Sequence, residues 1–275
     1  MTKIVLITGA SSGIGQACAI QMRRRGNEVY GTSRRVDQLG VDPDGGFWML
    51  PMDVDDDDSV QRGVELVLER HGRLDVLVAN AGIGVAGAIE DTRIDEAKAQ
   101  FETNFFGVVR VCSAALPTMR QQRSGHIIII GSLAGRAGVP FQGFYSAAKF
   151  ALEGLAEALR VEVRPFGVRV ALVEPGDLST PFTVHRHRTA QSQPDSAYWT
   201  RFDTALRIME NDERRGADPR SVARVVEKII ATPNPRLRYT VGPAFQRLAI
   251  ALKRIVPHRL FEWGLTKYYK LDKLK

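Results

Sequence analysis

The chain has 275 residues, 44% of them hydrophobic and 25% charged. That balance excludes a disordered chain and leaves room for one large α/β domain or two small ones. The net charge of +7 is concentrated at one end, since residues 233–275 carry ten Lys and Arg against Glu262 and Asp272. A nucleic-acid-binding fold carries its excess charge on its body, so no nucleic-acid partner is expected.

Along the chain, apolar runs at 4–7, 28–31, 47–51, 76–79, 126–131, 168–173 and 238–241 predict strands. Several are continuous rather than alternating, as in strands covered on both faces. Between them, residues 13–25, 57–71, 94–120, 146–163 and 219–231 follow helical periodicity. Strand and helix alternate throughout, which implies a parallel sheet with right-handed crossovers. The expectation is an α/β fold: a single doubly wound sheet of about seven strands, with helices on both faces, over residues 1–242.

Two segments break the alternation. Residues 178–216 form a long insertion with a short helix expected at 198–209; such insertions are often lids or binding loops. The tail, 243–275, is a C-terminal helical extension with Phe245, Leu248, Ala249, Leu252, Ile255 and Val256 at helical spacing. A second tail cluster is Leu260, Phe261, Trp263, Leu265, Tyr268 and Tyr269, with Lys267, Lys270 and Lys273. The tail has four readings: packing on its own domain, covering a substrate site, mediating assembly, or peripheral contact with an anionic membrane.

The first strand runs directly into Thr8-Gly9-Ala10-Ser11-Ser12-Gly13-Ile14-Gly15 and then a helix. Glycines here allow a tight turn and a close backbone approach, and the helix N-terminus offers N–H groups to a pyrophosphate. This placement points to a Rossmann-type dinucleotide site. The second strand ends in Gly31-Thr32-Ser33-Arg34-Arg35, without the acid that usually binds a ribose 2′-hydroxyl. Arginine forks two hydrogen bonds to a phosphate, so NADP(H) is preferred over NAD(H), with Arg34 first and Arg35 second. The plainer reading of the two arginines is a solvated charged turn.

Tyr145 and Lys149 stand four apart in a helical stretch, so the phenol and the ammonium can share a pocket. A lysine charge favours phenolate, and such a tyrosine can pass a proton to or from a carbonyl oxygen. The spacing alone is common. Its neighbours make it specific: Ser132 ends the strand at 126–131, Asn80-Ala81-Gly82 follows the strand at 76–79, and Asn104 lies in the long helix.

With these residues the chain resembles a short-chain dehydrogenase/reductase. The likeness covers residues 3–182 in order: the loop at Thr8–Gly15, the Asp53-Val54 pair, Asn80–Gly82, Asn104, the Ser132/Tyr145/Lys149 set, Pro175-Gly176 and Thr180. The resemblance implies Tyr145 as general acid/base and Ser132 on the substrate oxygen. It implies Lys149 on the nicotinamide ribose, and Asn104 holding a water in a relay through Lys149. It implies coenzyme contacts from Gly9, Ser11, Ser12, Gly13, Ile14, Gly15, Ser33, Arg34, Arg35, Asp53, Val54, Asn80, Ala81 and Gly82. Further along, Tyr145, Lys149, Pro175, Gly176, Leu178 and Thr180 would join them. One departure is Ala79 where the family often has a second Asn.

The stretches around Val139–Tyr145 and Arg164–Val168 look like the branch that holds 17β-hydroxysteroid and retinol dehydrogenases. A small lipophilic alcohol or carbonyl substrate is implied, lined by Ser132, Val139, Phe141, Phe144 and Tyr145 and closed by Phe182, Trp199 and Phe202. A homo-oligomer, dimer or tetramer, is expected by the same resemblance. Rival readings are a coenzyme-sensing regulatory or scaffold protein and a reductase of small polar carbonyls.

No metal site is expected. Asp53-Val54-Asp55-Asp56-Asp57-Asp58 lacks the glycine and distal Glu of a calcium loop, and Asp56–Asp58 suit a helix start. His185 and His187 have no Cys or acidic company in the sequence. Cys18 and Cys112 fit neither a disulfide framework nor a zinc cluster, which suits a reducing compartment such as the cytoplasm. No apolar run reaches the roughly 18 residues of a spanning helix, and the N-terminal run is too short for a signal peptide.

Overall fold

A computed structural model describes residues 2–272. The strands are β1 (Ile4–Ile7), β2 (Glu28–Ser33), β3 (Gly40–Val41), β4 (Trp48–Pro51), β5 (Val76–Ala79), β6 (Val85–Ala86), β7 (Gly125–Ile130), β8 (Val168–Pro175), β9 (His187–Arg188) and β10 (Arg238–Val241). Eight form one sheet in the order β10-β8-β7-β5-β1-β2-β4-β3, parallel except for the short edge strand β3.

Side chains alternate across each strand, so one strand feeds two cores. In β1, Ile4 and Leu6 enter the core beneath α2 (Asp57–His71), α4 (Gly107–Gln122) and α5 (Gly143–Val163). Val5 and Ile7 enter the opposite core, beneath α1 (Gly13–Arg24) and α7 (Arg220–Ala231). Both faces are thereby covered, which explains the uninterrupted apolar runs. Helix α2 starts as its acids require: Asp56 accepts a hydrogen bond from the Ser59 N–H at 2.5 Å, and Asp57 and Asp58 lie in the first turn. Burial pushes the Cys18 and Cys112 thiols up to about 12, so both behave as small apolar groups.

Three elements differ from the sequence expectation. The single helix expected over 94–120 is broken into α3 (Ile94–Phe101), a π turn at Glu102–Phe106, and α4. A π turn inserts one residue without changing composition, so hydrophobic periodicity does not reveal it. Helix α5 begins at Gly143, which puts Tyr145 in its first turn. The helix of the insertion, α6 (Trp199–Arg214), runs longer than expected, and β9 of the insertion pairs with β6.

The strand order reverses at β1, which has β2 on one side and β5 on the other. Such a switch point opens a crevice at the C-terminal ends of the strands. The tail forms α8 (Ala244–Leu252) and α9 (His258–Tyr268) and lies along that crevice. Gln246 ties it to the turn after β8, accepting from the Asp177 N–H at 2.9 Å and donating to the Asp177 carboxylate. Lys273 of the basic tail lies outside the described residues.

Candidate functional site

The crevice is a cleft of about 1140 Å³. Its floor is the glycine loop. Gly9 has φ +65°, and a Cβ there would meet the Ala81 Cα at 2.9 Å, so only glycine fits. Gly15 does not line the cleft. A Cβ on it would sit 2.3 Å from the Gly9 carbonyl oxygen, so its task is to let α1 pack under the loop. Two residues knit the loop to the end of β5. The Thr8 hydroxyl accepts from the N–H groups of Asn80 and Ala81 at 2.9 and 3.0 Å. The Asn80 amide donates to the carbonyls of Thr8 and Gly9.

The residues present fit a dinucleotide. Ser12 stands at the N-cap of α1 without a side-chain cap bond, and the first turn holds no acid. The helix therefore presents free N–H groups and a partial positive charge to the cleft, the condition a pyrophosphate requires. Ser11, Ser12, Gly13, Ile14, Ser33, Arg34, Arg35, Asp53, Val54, Ala81, Gly82, Pro175, Gly176, Leu178 and Thr180 line the same cleft. Arg34 and Arg35 are exposed, and among the described residues neither is in an ion pair.

At the other end the reactive groups converge. The Tyr145 ring lies 5.8 Å from the Lys149 ammonium, and Lys149 donates to the Ile130 carbonyl at 2.9 Å. Ser132 caps the short turn Leu133–Gly135, accepting from the Ala134 N–H at 3.1 Å, and lines the cleft. Burial pushes the Tyr145 phenol up to about 12 and the Lys149 ammonium down to about 8. The nearby Ser132 hydroxyl pulls the phenol partly back. Asn104 sits fully buried in the π turn. Its amide accepts from the Ile83 N–H at 2.8 Å and donates to the Ile83 carbonyl at 2.9 Å. It clamps the loop after β5; its side chain is engaged there on both sides.

The substrate end departs from expectation at the aromatics. Val139 and Phe182 line the cleft, and the Phe182 ring stands 5.9 Å from that of Tyr145. Phe141 and Phe144 do not line it. Phe141, at φ +60°, turns its ring onto Phe202, 5.6 Å away, inside a separate cluster with Trp199. Trp199 and Phe202 are thus packing residues of the insertion rather than walls of the cleft. Sequence order brings these aromatics close to Tyr145, but the left-handed backbone at Phe141 aims its ring the other way.

Sequence reasoning missed a polar group in the cleft. Arg186, with only 2% of its side chain exposed, pairs with Glu213, and its guanidinium lies 5.6 Å from the Phe182 ring centre. Glu213 also accepts from the Thr183 hydroxyl at 2.6 Å. Asp177 and Asp212 line the cleft beside them, without an ion pair among the described residues. Asp177 is pushed up to about 6, chiefly by burial. These four residues come from the insertion, its helix and the turn after β8, so no local motif announces them. The tail contributes Phe245, Leu252, Leu260, Trp263 and Tyr269 to the apolar wall.

The family model described as short chain dehydrogenase matches residues 3–191. A 3-ketodihydrosphingosine reductase from Bacteroides thetaiotaomicron is 43% identical over 98% of this chain and 98% of its own length. Retinol dehydrogenase 8 of Bos taurus is 35% identical, covering 93% of this chain and 86% of its own. Among solved structures, a short-chain dehydrogenase from Streptomyces avermitilis superposes with a TM-score of 0.82 at 31% identity, covering 98% of each chain.

Proposed function

Starting from a chain that belongs to the short-chain dehydrogenase family, an oxidoreductase family using nicotinamide coenzymes, we propose an NADP(H)-preferring reductase of a bulky lipophilic ketone. The ketone we favour is a long-chain 2-amino ketone of the 3-ketodihydrosphingosine type. The observation that carries the reading is the convergence of Tyr145, Ser132 and Lys149 at one end of a cleft whose other end is built for a pyrophosphate.

The bound coenzyme supplies the hydride. Tyr145 donates its proton to the substrate oxygen in the reductive direction. Ser132 hydrogen-bonds the same oxygen and orients it. Lys149 stabilises the phenolate left behind by its charge and holds the ribose. Asn104 acts as a positioning residue through Ile83. Arg34, then Arg35, supply the free cations that a 2′-phosphate needs.

Two features support the amino ketone. The apolar wall suits a long alkyl chain. Asp177 and Asp212 are in no ion pair among the described residues, and although Gln246 and Tyr268 donate to them and the Arg186 charge reaches Asp177, they are the carboxylates that suit an ammonium group next to the ketone. The relative of Bacteroides thetaiotaomicron points the same way by its name. The test is coenzyme-linked absorbance with matched long-chain ketones, with and without the 2-amino group, beside a panel of small polar carbonyls. Turnover of the long-chain members, with NADPH ahead of NADH, is expected. Tyr145→Phe should lose nearly all turnover while still binding NADPH. Full activity in that variant, or turnover of the polar members alone, refutes the reading. A coenzyme sensor is the rival that Tyr145→Phe separates, since its output would not depend on the phenol.

A further inference from the structure

We infer that α8 and α9 form a docking surface for an anionic lipid bilayer, placing the mouth of the cleft against the membrane. The first observation is an apolar stripe that the domain leaves largely uncovered, although Phe245 and Leu252 also line the cleft. Phe245, Leu248, Leu252 and Ile255 share one side of the tail, at 54%, 59%, 40% and 79% exposure. A helix packed on its own domain turns such a stripe inward, as α7 does with Val222, Val226 and Ile229. Neither α8 nor α9 buries a residue. Leu260 and Trp263 of α9 are 54% and 59% exposed. Half of the exposed large apolar side chains among the described residues thus fall in this tail. A patch of that concentration marks an interaction surface.

Charge selects the occupant. Arg247, Arg254, Arg259 and Lys270 are exposed along the tail, and none is in an ion pair among the described residues, although Arg247 and Arg254 also line a pocket with Glu153, Glu157 and Glu174. Of the two acids in this stretch, Asp272 accepts from Lys267 at 2.5 Å, and Glu262 lies 3.7 Å from the His258 ring. A second copy docked on the same face would oppose these cations to each other. An anionic bilayer surface attracts them while its acyl boundary receives the apolar stripe. No helix of the described residues is long and apolar enough to cross a membrane, so the contact is at the surface.

The same helices connect surface to cleft. Phe245, Leu252, Leu260 and Trp263 each line the cleft and are also exposed, giving an apolar path from outside to the reacting groups. A lipid substrate would enter along it without crossing water. The inference rests on the reductase reading only for what enters; docking itself is read without turnover.

The experiment is co-sedimentation of the full chain with vesicles of phosphatidylcholine, with and without phosphatidylglycerol, alongside sedimentation velocity. Binding to the anionic vesicles, weakened by salt and weak on phosphatidylcholine alone, is expected. The double variant Leu248→Glu/Ile255→Glu removes two exposed side chains that do not line the cleft. It should partition about tenfold more weakly while reducing a water-soluble ketone at the wild-type rate and keeping the wild-type melting temperature. Equal partition of variant and wild type overturns the proposal. So does a wild-type oligomer that the double variant splits, because a second copy then covers the stripe. Vesicle binding in a protein that reduces no ketone would refute the catalytic reading and leave the docking surface standing.

Discussion

Replacing Thr8 by valine keeps the side-chain shape and removes one oxygen. That oxygen accepts two backbone N–H groups, from Asn80 at 2.9 Å and Ala81 at 3.0 Å. Thr8 is 1% exposed, so water does not reach the oxygen's place, while the two N–H groups are partly buried. Each lost bond in such a setting costs about 1–2 kcal/mol, and the added methyl returns somewhat less than about 1 kcal/mol. The net loss is about 1–3 kcal/mol. With a urea slope of about 3 kcal/mol/M, the midpoint falls by about 0.3–1 M. Coenzyme affinity should fall as well, because the two bonds fix the turn against the glycine loop. Thr8→Ser keeps the oxygen and loses only the methyl, and should restore most of both. Urea unfolding followed by circular dichroism, with coenzyme titration, reads both effects. A valine variant as stable as wild type, with serine the weaker of the two, would mean that methyl packing rather than the acceptor holds this junction.

Arg34→Ala should weaken NADPH about 5–30-fold relative to NADH, from the loss of about 1–2 kcal/mol of exposed charge-assisted bonding to a 2′-phosphate; equal losses in steady-state KM would exclude that contact. Asp177→Asn should lower kcat/KM for a 2-amino ketone about 5–30-fold and leave the desamino ketone unchanged. Because Asp177 is raised to about 6, the difference should be full above that pH and fade below it, and loss on both ketones alike would argue against ammonium recognition. His126 is lowered from 6.5 to about 4, mainly by burial. Between those values the unfolded chain binds the proton and the folded chain does not, so stability falls as pH drops from about 6.5 to 4, by about 2–3 kcal/mol. His126→Asn should flatten that slope in urea midpoints taken at pH 7, 5 and 4; an unchanged slope would place the acid sensitivity elsewhere.

The linear pattern carried what depends on neighbours in sequence. Continuous apolar runs marked the strands because both faces of the sheet are covered, and the glycine loop announced itself because one turn and one helix start build it. Tyr145 and Lys149 were legible as a pair because four residues close one helical turn. Residues that meet only through the chain path were not. Arg186, Glu213, Asp212 and Asp177 come from distant segments and carry no shared spacing. The π turn at Asn104 and the left-handed backbone at Phe141 are backbone events that composition does not encode. The tail showed its apolar stripe at once, but which way the stripe faces depends on where α8 sits above the cleft. Composition sets how much apolar surface a helix has; only packing decides whether the protein itself covers it.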